Sequence, residues 1–331
     1  MSLAVVVGKF RPPHRGHSYL IDTALAGAER VVVIVCDHPD DDVPAALRAD
    51  VLRALHPAAT VLVTPDDIPD DLGEATSRAW ARRTVELLGG RRPDVVFSSE
   101  EYGQRYAACM GARHVSVDPR RRRFPISGTA VRADPQAAAD FLGPAVRAWY
   151  VRRVRVLGAE STGTTTLARD LAAHYGCRWV PEYGRAYCAR RLAEEDTIDW
   201  RTEDFVHIAG QQQADEDAAA GAGGRLLICD TDALATSVWH ERYLGHESAR
   251  VRRLAVPGTA ALYILTGDDI AFVQDGTRDG EHLRGWMTAR FRAVLDGRGE
   301  PWIELRGSRA ERLAAAVDRV DELLATPAGA R

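Results

Sequence analysis

The chain has 331 residues, of which 46% are hydrophobic and 27% are charged, and its formal net charge is −4. This length predicts two domains, each large enough to bury its own core, and the composition is that of an ordinary soluble globular protein. The lack of a basic excess argues against a nucleic-acid partner. No apolar run approaches the ~18 residues of a membrane span, and the first residues are typical of a strand and not of a leader peptide.

Five cysteines are scattered along the chain without a CxxC pair: Cys36, Cys109, Cys177, Cys188 and Cys229. This pattern predicts small buried side chains in a reducing compartment, so we expect a cytoplasmic protein. A homo-oligomer is left open by the sequence.

Residues 1 to about 150 alternate between short β-branched runs and helical patterns. Such alternation predicts a parallel, doubly wound α/β sheet that binds ligands at the carboxyl ends of its strands. The predicted strands cover residues 3–7, 30–36, 60–64, 94–98 and 113–117, and the predicted helices cover 15–28, 44–55, 75–89 and 100–110.

The first turn, VVVGKFRPPHRGH at 5–17, has the features of a phosphate site. Gly8 ends the strand, and a helical pattern begins near His14 after two prolines. His14 and His17 are three residues apart and therefore share one face of the first helical turn, where Gly16 lets a ligand approach the backbone. A helix N-terminus attracts anions, and the imidazoles add donors. Two ordinary surface histidines are the alternative.

Lys9, beside this turn, is the only lysine in the chain. Because arginine occupies every other basic position, Lys9 predicts a need for a compact ammonium group there. Chance placement is the alternative.

A second anion-binding pattern is ISGTAVR at 126–132. Ser127 or Thr129 can cap a new helix whose free N–H groups face outward, and Arg132 follows closely enough to share an anion with that cap. Alone, this pattern would be a plain N-cap with a surface arginine. Paired with the upstream histidines, it predicts a second phosphate clamp in the same domain.

These two stretches resemble the (H/T)xGH and ISSTxxR motifs of the nucleotidyltransferase superfamily. The forms GKF…HRGH, SSEEYG at 98–103 and FPISGT at 124–129 are similar to nicotinamide-mononucleotide adenylyltransferases of the NadR type. The resemblance implies that the mononucleotide phosphate attacks the α-phosphorus of ATP in line, that pyrophosphate leaves, and that Mg²⁺ offsets its charge. The catalytic residues it implies are Lys9, His14, His17 and Arg132. The nucleotide-binding residues it implies are Gly8, Phe10, Gly16, Ser127, Gly128 and Thr129.

Three features of this half have less specific interpretations. Trp80 either stacks on the nicotinamide ring or belongs to the core. The run Arg120–Arg123 is interpreted as a solvated loop in preference to a phosphate-attracting one. The acidic stretches 40–42 and 66–74 are interpreted as solvated turns.

After an apparent helix at 144–152, a new strand, VRVL at 154–157, leads into GAESTGTT at 158–165. This spacing fits a Walker A loop, GxxxxGK[ST], with Thr165 at the Mg²⁺-ligand position. Thr164 stands at the lysine position and supplies no charge. Either an arginine from elsewhere in the chain substitutes for this lysine, or the site binds nucleotide and turns over poorly. A Gly/Thr-rich turn that binds no ligand is the third possibility. The expected nucleotide-binding residues are Gly158, Glu160, Ser161, Thr162, Gly163, Thr164, Thr165 and Thr166.

Downstream features match a small P-loop kinase. Asp230 ends the strand LLICD as a Walker-B-like acid and is expected to hold Mg²⁺ together with Thr165. Glu182, in PEYGRAY, could accept the proton of a ribose hydroxyl, and Arg185 could hold the substrate or product phosphate. Arg278, in DGTRDG at 275–280, is predicted to lie in a mobile lid and to reach phosphate.

This half resembles the ribosylnicotinamide kinase domain of the same NadR-type proteins, which implies ATP-dependent phosphorylation of nicotinamide riboside. Since no helix-turn-helix precedes the first strand, we expect no repressor role. The prediction is an α/β protein with two doubly wound parallel-sheet domains: a Rossmann-like nucleotidyltransferase domain over 1–149 and a P-loop kinase domain over 150–331. Two alternatives stay open: a non-catalytic nucleotide-sensing second half, and another adenylyl or cytidylyl transfer in the first.

Overall fold

Short valine- and isoleucine-rich runs form the buried strands on which both halves of the chain are built. A computed structural model describes residues 2–69, 71, 73–194, 197–274 and 280–326. The chain divides into two units, Met1–Trp149 (unit 1) and Tyr150–Arg331 (unit 2). Within the described residues, no helix is long and apolar enough to cross a membrane.

Unit 1 alternates strands and helices from its first residues. Its elements are β1 (Leu3–Gly8), α1 (Arg15–Gly27), β2 (Arg30–Asp37), α2 (Ala45–Leu55), β3 (Thr60–Pro65), α3 (Glu74–Leu87), β4 (Val95–Ser98), α4 (Gly103–Met110), β5 (Arg113–Ser116), α5 (Gly128–Ala133) and α6 (Pro144–Tyr150), the last of which ends at the division. The strands pair in parallel in the order β3-β2-β1-β4-β5. Because the chain runs outward in both directions from β1, the crevice at the carboxyl end of β1 is where such a sheet binds ligands.

Unit 2 repeats this plan. Its elements are β6 (Arg152–Gly158), α7 (Thr164–Tyr175), β7 (Arg178–Val180), α8 (Tyr183–Glu194), α9 (Thr202–Gly221), β8 (Leu226–Asp230), α10 (Ala233–Leu244), α11 (Ala249–Arg252), β9 (Leu262–Thr266), α12 (Arg284–Asp296), β10 (Trp302–Leu305) and α13 (Arg309–Ala325). The described strands form a parallel sheet in the order β10-β9-β6-β8-β7. The predicted fold class, two doubly wound parallel sheets, is confirmed.

The strand predicted over 154–157 begins two residues earlier, at Arg152, and two of its arginines pair with carboxylates inside the fold. Arg155 Nη2 donates to Glu216 Oε2 at 2.7 Å, and both side chains are buried. Arg153 Nη2 donates to Asp217 Oδ1 at 2.8 Å. Both acids lie on α9, so ion pairs let β6 carry arginine within a buried sheet.

Candidate functional sites

A cavity of about 700 Å³ lies at the carboxyl end of β1 in unit 1. Both predicted phosphate motifs line it, although more than 100 residues separate them in the sequence. The lining includes Gly8, Lys9, Phe10, His14, Gly16, His17, Ser127, Gly128, Thr129 and Arg132. All residues predicted for the first site therefore lie around a single cavity.

The two histidines form a stacked pair at the start of α1. Their ring centroids are 3.7 Å apart with an interplanar angle of 15°. His14 caps the helix, because its Nδ1 accepts the His17 backbone N–H at 3.4 Å. Gly16 makes room for this pair, since a Cβ there would lie 3.1 Å from the His14 ring. The absent side chain of Gly16 thus accommodates His14, whereas the sequence predicted that it would accommodate a ligand.

Both imidazoles are neutral near pH 7. Burial, reinforced by the charge of Arg121, lowers the pKa of His14 to about 4. Burial and the neighbouring His14 hold the pKa of His17 well below its usual value. A neutral imidazole whose Nδ1 accepts a hydrogen bond carries its proton on Nε2, so His14 offers an uncharged donor.

Arg132 joins the two motifs directly. Its Nη1 donates to the carbonyl oxygen of Arg11 at 2.6 Å, and its Nη2 donates to Thr129 Oγ1 at 3.3 Å. Ser127 Oγ accepts the Ala130 N–H at 3.1 Å and caps α5, as predicted. Gly128 allows the close approach, because a Cβ there would lie 2.4 Å from the Arg11 carbonyl oxygen.

A buried arginine that the sequence analysis missed shapes the loop around Lys9. Arg48, on α2, is fully buried and donates to the carbonyl oxygens of Val43, Cys36 and Lys9. Its guanidinium also pairs with Asp41. A signal was present in the sequence: Arg48 lies on the same helical face as the buried residues of α2.

The interpretation of the acidic stretches as solvated turns is wrong for two of their residues. The Asp41 side chain is only 2% exposed, because it pairs with both Arg48 and Arg11. The Asp66 side chain is 6% exposed and lies 3.5 Å from Lys9 Nζ. These carboxylates therefore hold the cations of the first turn in place.

The arginine-rich loop is exposed, as predicted, but one of its members faces the site. Arg121 lines the cavity, pairs with Glu100 at 2.9 Å, and acts electrostatically on both histidines. Trp80 also lines the cavity and packs against the hydrophobic cluster beneath it. This position is compatible with both interpretations of Trp80.

In unit 2, the loop between β6 and α7 has the predicted strand–loop–helix context. Ser161 and Gly163 adopt positive φ values of 56° and 87°. Thr162 Oγ1 lies 2.7 Å from Thr266 Oγ1 on β9, which ties the loop to the sheet. A Cβ on Gly158 would lie 2.2 Å from the same Thr266 oxygen, so only glycine fits there.

The oxygen atoms predicted to hold a metal ion lie together. Thr165 Oγ1 donates to Asp230 Oδ2 at 2.6 Å. The second oxygen of Asp230 is buried and, within the described ranges, has no hydrogen-bond partner. Mg²⁺ prefers such oxygen donors and takes its remaining ligands from phosphates and water, so these residues fit the ion.

Two carboxyl groups at this edge of the sheet have raised pKa values. Burial raises the pKa of Asp230 to about 6. Burial and the charge of Asp230 raise the pKa of Glu182 to about 7. Arg185 Nε lies 3.7 Å from Glu182 Oε2, so the two residues predicted to handle the substrate lie together, close enough to Asp230 for its charge to act on Glu182.

The remaining predicted residues of unit 2 include three in different environments and one outside the described residues. Glu160 is bound within the protein, because its carboxylate pairs with Arg242 at 2.8 Å and accepts the Gly280 N–H. Thr164 begins α7 and is half-buried, whereas Thr166 is exposed. Arg278 lies outside the described residues.

Together the two sites have the architecture of a nucleotidyltransferase-like domain followed by a P-loop domain. Residues 5–134 match the cytidylyltransferase-like family, and residues 153–312 match the AAA domain family.

The chain is a homologue of the NadR proteins. It is 28% identical over 305 residues to the trifunctional NAD biosynthesis/regulator protein NadR of Escherichia coli (strain K12), covering 84% of this chain and 72% of that protein. The structure of a NadR protein in complex with NR superposes with a TM-score of 0.70 at 21% identity. A NadR protein in complex with NAD and AMP-PNP gives 0.66 at 20% identity. Each comparison covers 98% of this chain and 96% of the other. The resemblance predicted from the motifs is confirmed.

Proposed function

We propose that this chain is an enzyme of NAD biosynthesis and salvage with one activity in each unit. Unit 1 transfers the adenylyl group of ATP to nicotinamide mononucleotide, giving NAD and pyrophosphate. Unit 2 phosphorylates nicotinamide riboside with ATP, giving the mononucleotide. The observation that carries the first assignment is the convergence of Lys9, His14, His17 and Arg132 on one cavity. The ligands of the related NadR structures support the substrate classes.

In unit 1, the residues position the reactants and stabilise charge. A phosphate oxygen of the mononucleotide attacks the α-phosphorus of ATP, and the bond from that phosphorus to the β-bridging oxygen breaks. Lys9 and Arg132 supply positive charge to the triphosphate, while neutral His14 and His17 donate hydrogen bonds without repelling these cations. Such preorganised donors act most strongly on the charge that develops in the transition state.

In unit 2, one group of residues would bind the phosphates of ATP, and another would act on the ribose hydroxyl of the substrate. Backbone N–H groups of the loop 158–165 would cradle the phosphates of ATP. Thr165 and Asp230 would hold Mg²⁺, which neutralises phosphate charge when bound. Glu182 accepts the proton of the ribose hydroxyl. The hydroxyl oxygen then bonds to the γ-phosphorus of ATP as the bond from that phosphorus to ADP breaks. A pKa near 7 suits a general base at neutral pH.

The two activities are separable in the full chain. We expect His17→Ala to slow NAD formation by about 10²–10³-fold, the cost of one transition-state donor, and to leave phosphorylation of nicotinamide riboside unchanged. Asp230→Asn should do the reverse. NAD is measured with the mononucleotide and ATP, and ADP is measured with the riboside and ATP. An unchanged rate in either variant would contradict the role of that residue.

A second candidate for unit 2 is a nucleotide-sensing module, favoured by Thr164 at the lysine position. It predicts ATP binding without ADP formation in the presence of the riboside. For unit 1, nicotinate mononucleotide and phosphopantetheine serve as competing acceptors, and NTP preference is tested with CTP.

A further inference from the structure

The P-loop of unit 2 has Thr164 at the lysine position, so any side-chain cation that binds the nucleotide phosphates at this loop comes from another position. Two of the arginines around the loop are already neutralised by the protein. Arg242 pairs with Glu160 at 2.8 Å. Arg312 pairs with Asp269 at 2.7 Å, and its Nη1 donates to the Thr162 carbonyl oxygen. These two residues stabilise the loop and carry no spare charge.

Arg284, the first residue of α12, differs from them. It is 9% exposed. Its Nη2 donates to the carbonyl oxygen of Ile270 at 2.9 Å and reaches that of Ser161, inside the P-loop, at 3.4 Å. Its guanidinium lies over the ring of Phe272, 5.8 Å from the centroid. Arg284 is thus placed at the loop by one aromatic ring and two backbone oxygens.

No carboxylate neutralises Arg284 within the part of the chain that the structure describes. Its Nε is buried and has no hydrogen-bond partner among the described residues. Leaving a buried charge unpaired is costly, and buried guanidinium groups in proteins are normally paired with an anion. The missing counter-ion is therefore expected to be a ligand, and a phosphate suits the forked donors of arginine.

We propose that Arg284 replaces the absent P-loop lysine and binds the β- and γ-phosphates of the nucleotide held by residues 158–165. This inference rests on the phosphoryl transfer proposed for unit 2. Arginine supplies the same charge from α12 that lysine would supply from the position of Thr164. The loop keeps its backbone cradle, and the charge comes from a different element of the fold.

Substitutions at positions 284 and 164 of the full chain test whether the charge of Arg284 replaces that of the absent lysine. Arg284→Gln keeps N–H donors for the Ser161 and Ile270 carbonyls but removes the charge, and Arg284→Lys keeps the charge. We expect Arg284→Gln to weaken binding of a non-hydrolysable ATP analogue by at least about 10-fold and to lower kcat for riboside phosphorylation by about 10²–10³-fold. Arg284→Lys should retain most of the affinity. Adding Thr164→Lys to Arg284→Gln should raise both the affinity for the ATP analogue and kcat by at least about 10-fold relative to Arg284→Gln alone, because it returns the charge to its usual position.

Two controls separate charge from folding. Arg319→Gln removes an exposed arginine on α13 that pairs with Glu322 and should change neither measurement. NAD formation by unit 1 should be unchanged in every variant, and thermal unfolding of unit 2 at the wild-type temperature reports that the substituted unit is folded.

The outcomes distinguish this inference from the proposed function. Wild-type affinity and turnover in Arg284→Gln would overturn the role of Arg284 and leave the kinase assignment standing. Loss of binding that Thr164→Lys does not restore would also overturn it, because Arg284 would then act on loop shape. A wild-type chain without kinase activity would refute the kinase assignment alone, and the affinity series would still decide the role of Arg284.

Discussion

The guanidinium of Arg132 donates to the carbonyl oxygen of Arg11 at 2.6 Å, across 121 positions of sequence. This bond fastens the loop after β1 to the last turn of α5. It joins the turn that carries Lys9 to the cap formed by Ser127. Arg132 therefore has both a structural partner and a place on the cavity wall.

Arg132→Lys is expected to impair adenylyl transfer although it keeps the charge. A lysine ammonium has no planar fork and cannot reach Arg11, Thr129 and a phosphate together. We expect a rise in KM for ATP and a fall in kcat/KM of about 10-fold or more, since one charge-assisted hydrogen bond contributes roughly 1.5–3 kcal/mol. Steady-state NAD formation measures it. Arg113→Lys, at an exposed position on β5, is the matched control. Equal kinetics in the two variants would contradict the proposal that Arg132 binds Arg11, Thr129 and a phosphate together.

Gly128→Ala is expected to be destabilising, because its Cβ would lie 2.4 Å from a backbone oxygen that cannot rotate away. Overpacking of this kind typically costs about 1–3 kcal/mol. Gly143→Ala meets nothing within 4 Å and is the matched control in the same unit. The melting temperature and the rate of NAD formation should both fall for Gly128→Ala and stay unchanged for Gly143→Ala. Normal activity in that variant would show that α5 can move away from the first turn.

The strands and the phosphate motifs were predictable because their signals are local. Valine-rich runs, the glycine that ends β1 and the serine cap each act within a few residues of sequence. The helix predicted from residue 100 begins at Gly103 instead, since residues 100–102 form a turn closed by the Gly103 N–H to the Glu100 carbonyl.

The buried ion pairs were not predictable in the same way, because each partner lies on a distant element. Arg155 and Glu216 are 61 positions apart, and nothing local indicates that they meet. A weaker signal exists for Glu216: it follows Gln212 and precedes Ala220 at steps of four along the buried face of α9. A charged residue on an apolar helical stripe indicates a buried partner, and Arg48 carries the same signal on α2.

The histidine pair should make unit 1 less stable in acid. The pKa of His14 is about 4 in the folded protein and about 6.5 when unfolded, so the unfolded chain binds more protons between these values. The stability contributed by the neutral ring is present above pH 6.5 and is lost as the pH falls toward 4. Imidazole NMR at pH 5.5 should show a neutral His14, and His14→Asn, which keeps a capping acceptor, should flatten the pH dependence of unfolding. A protonated His14 at pH 5.5 would contradict this.

The carboxyl groups of unit 2 should have the opposite pH dependence. Burial raises the pKa of Glu182 to about 7 and that of Asp230 to about 6, so the folded state binds more protons than the unfolded state between about pH 4.5 and 7. Their protonated forms contribute stability that is present below the unfolded pKa values and is lost as the pH rises through the folded ones.

Glu182→Gln, which mimics the protonated acid, should therefore raise the melting temperature of the nucleotide-free chain at pH 8 and have little effect at pH 4.5. Riboside phosphorylation by the wild type should increase from pH 5.5 to 7.5, since the base must be ionised to accept a proton. Glu203→Gln is the matched control, because that exposed carboxylate on α9 pairs with Arg250 at 2.6 Å and lies outside the site. Equal melting shifts in the two variants at pH 8 would show that Glu182 is not held in a protonated, buried form.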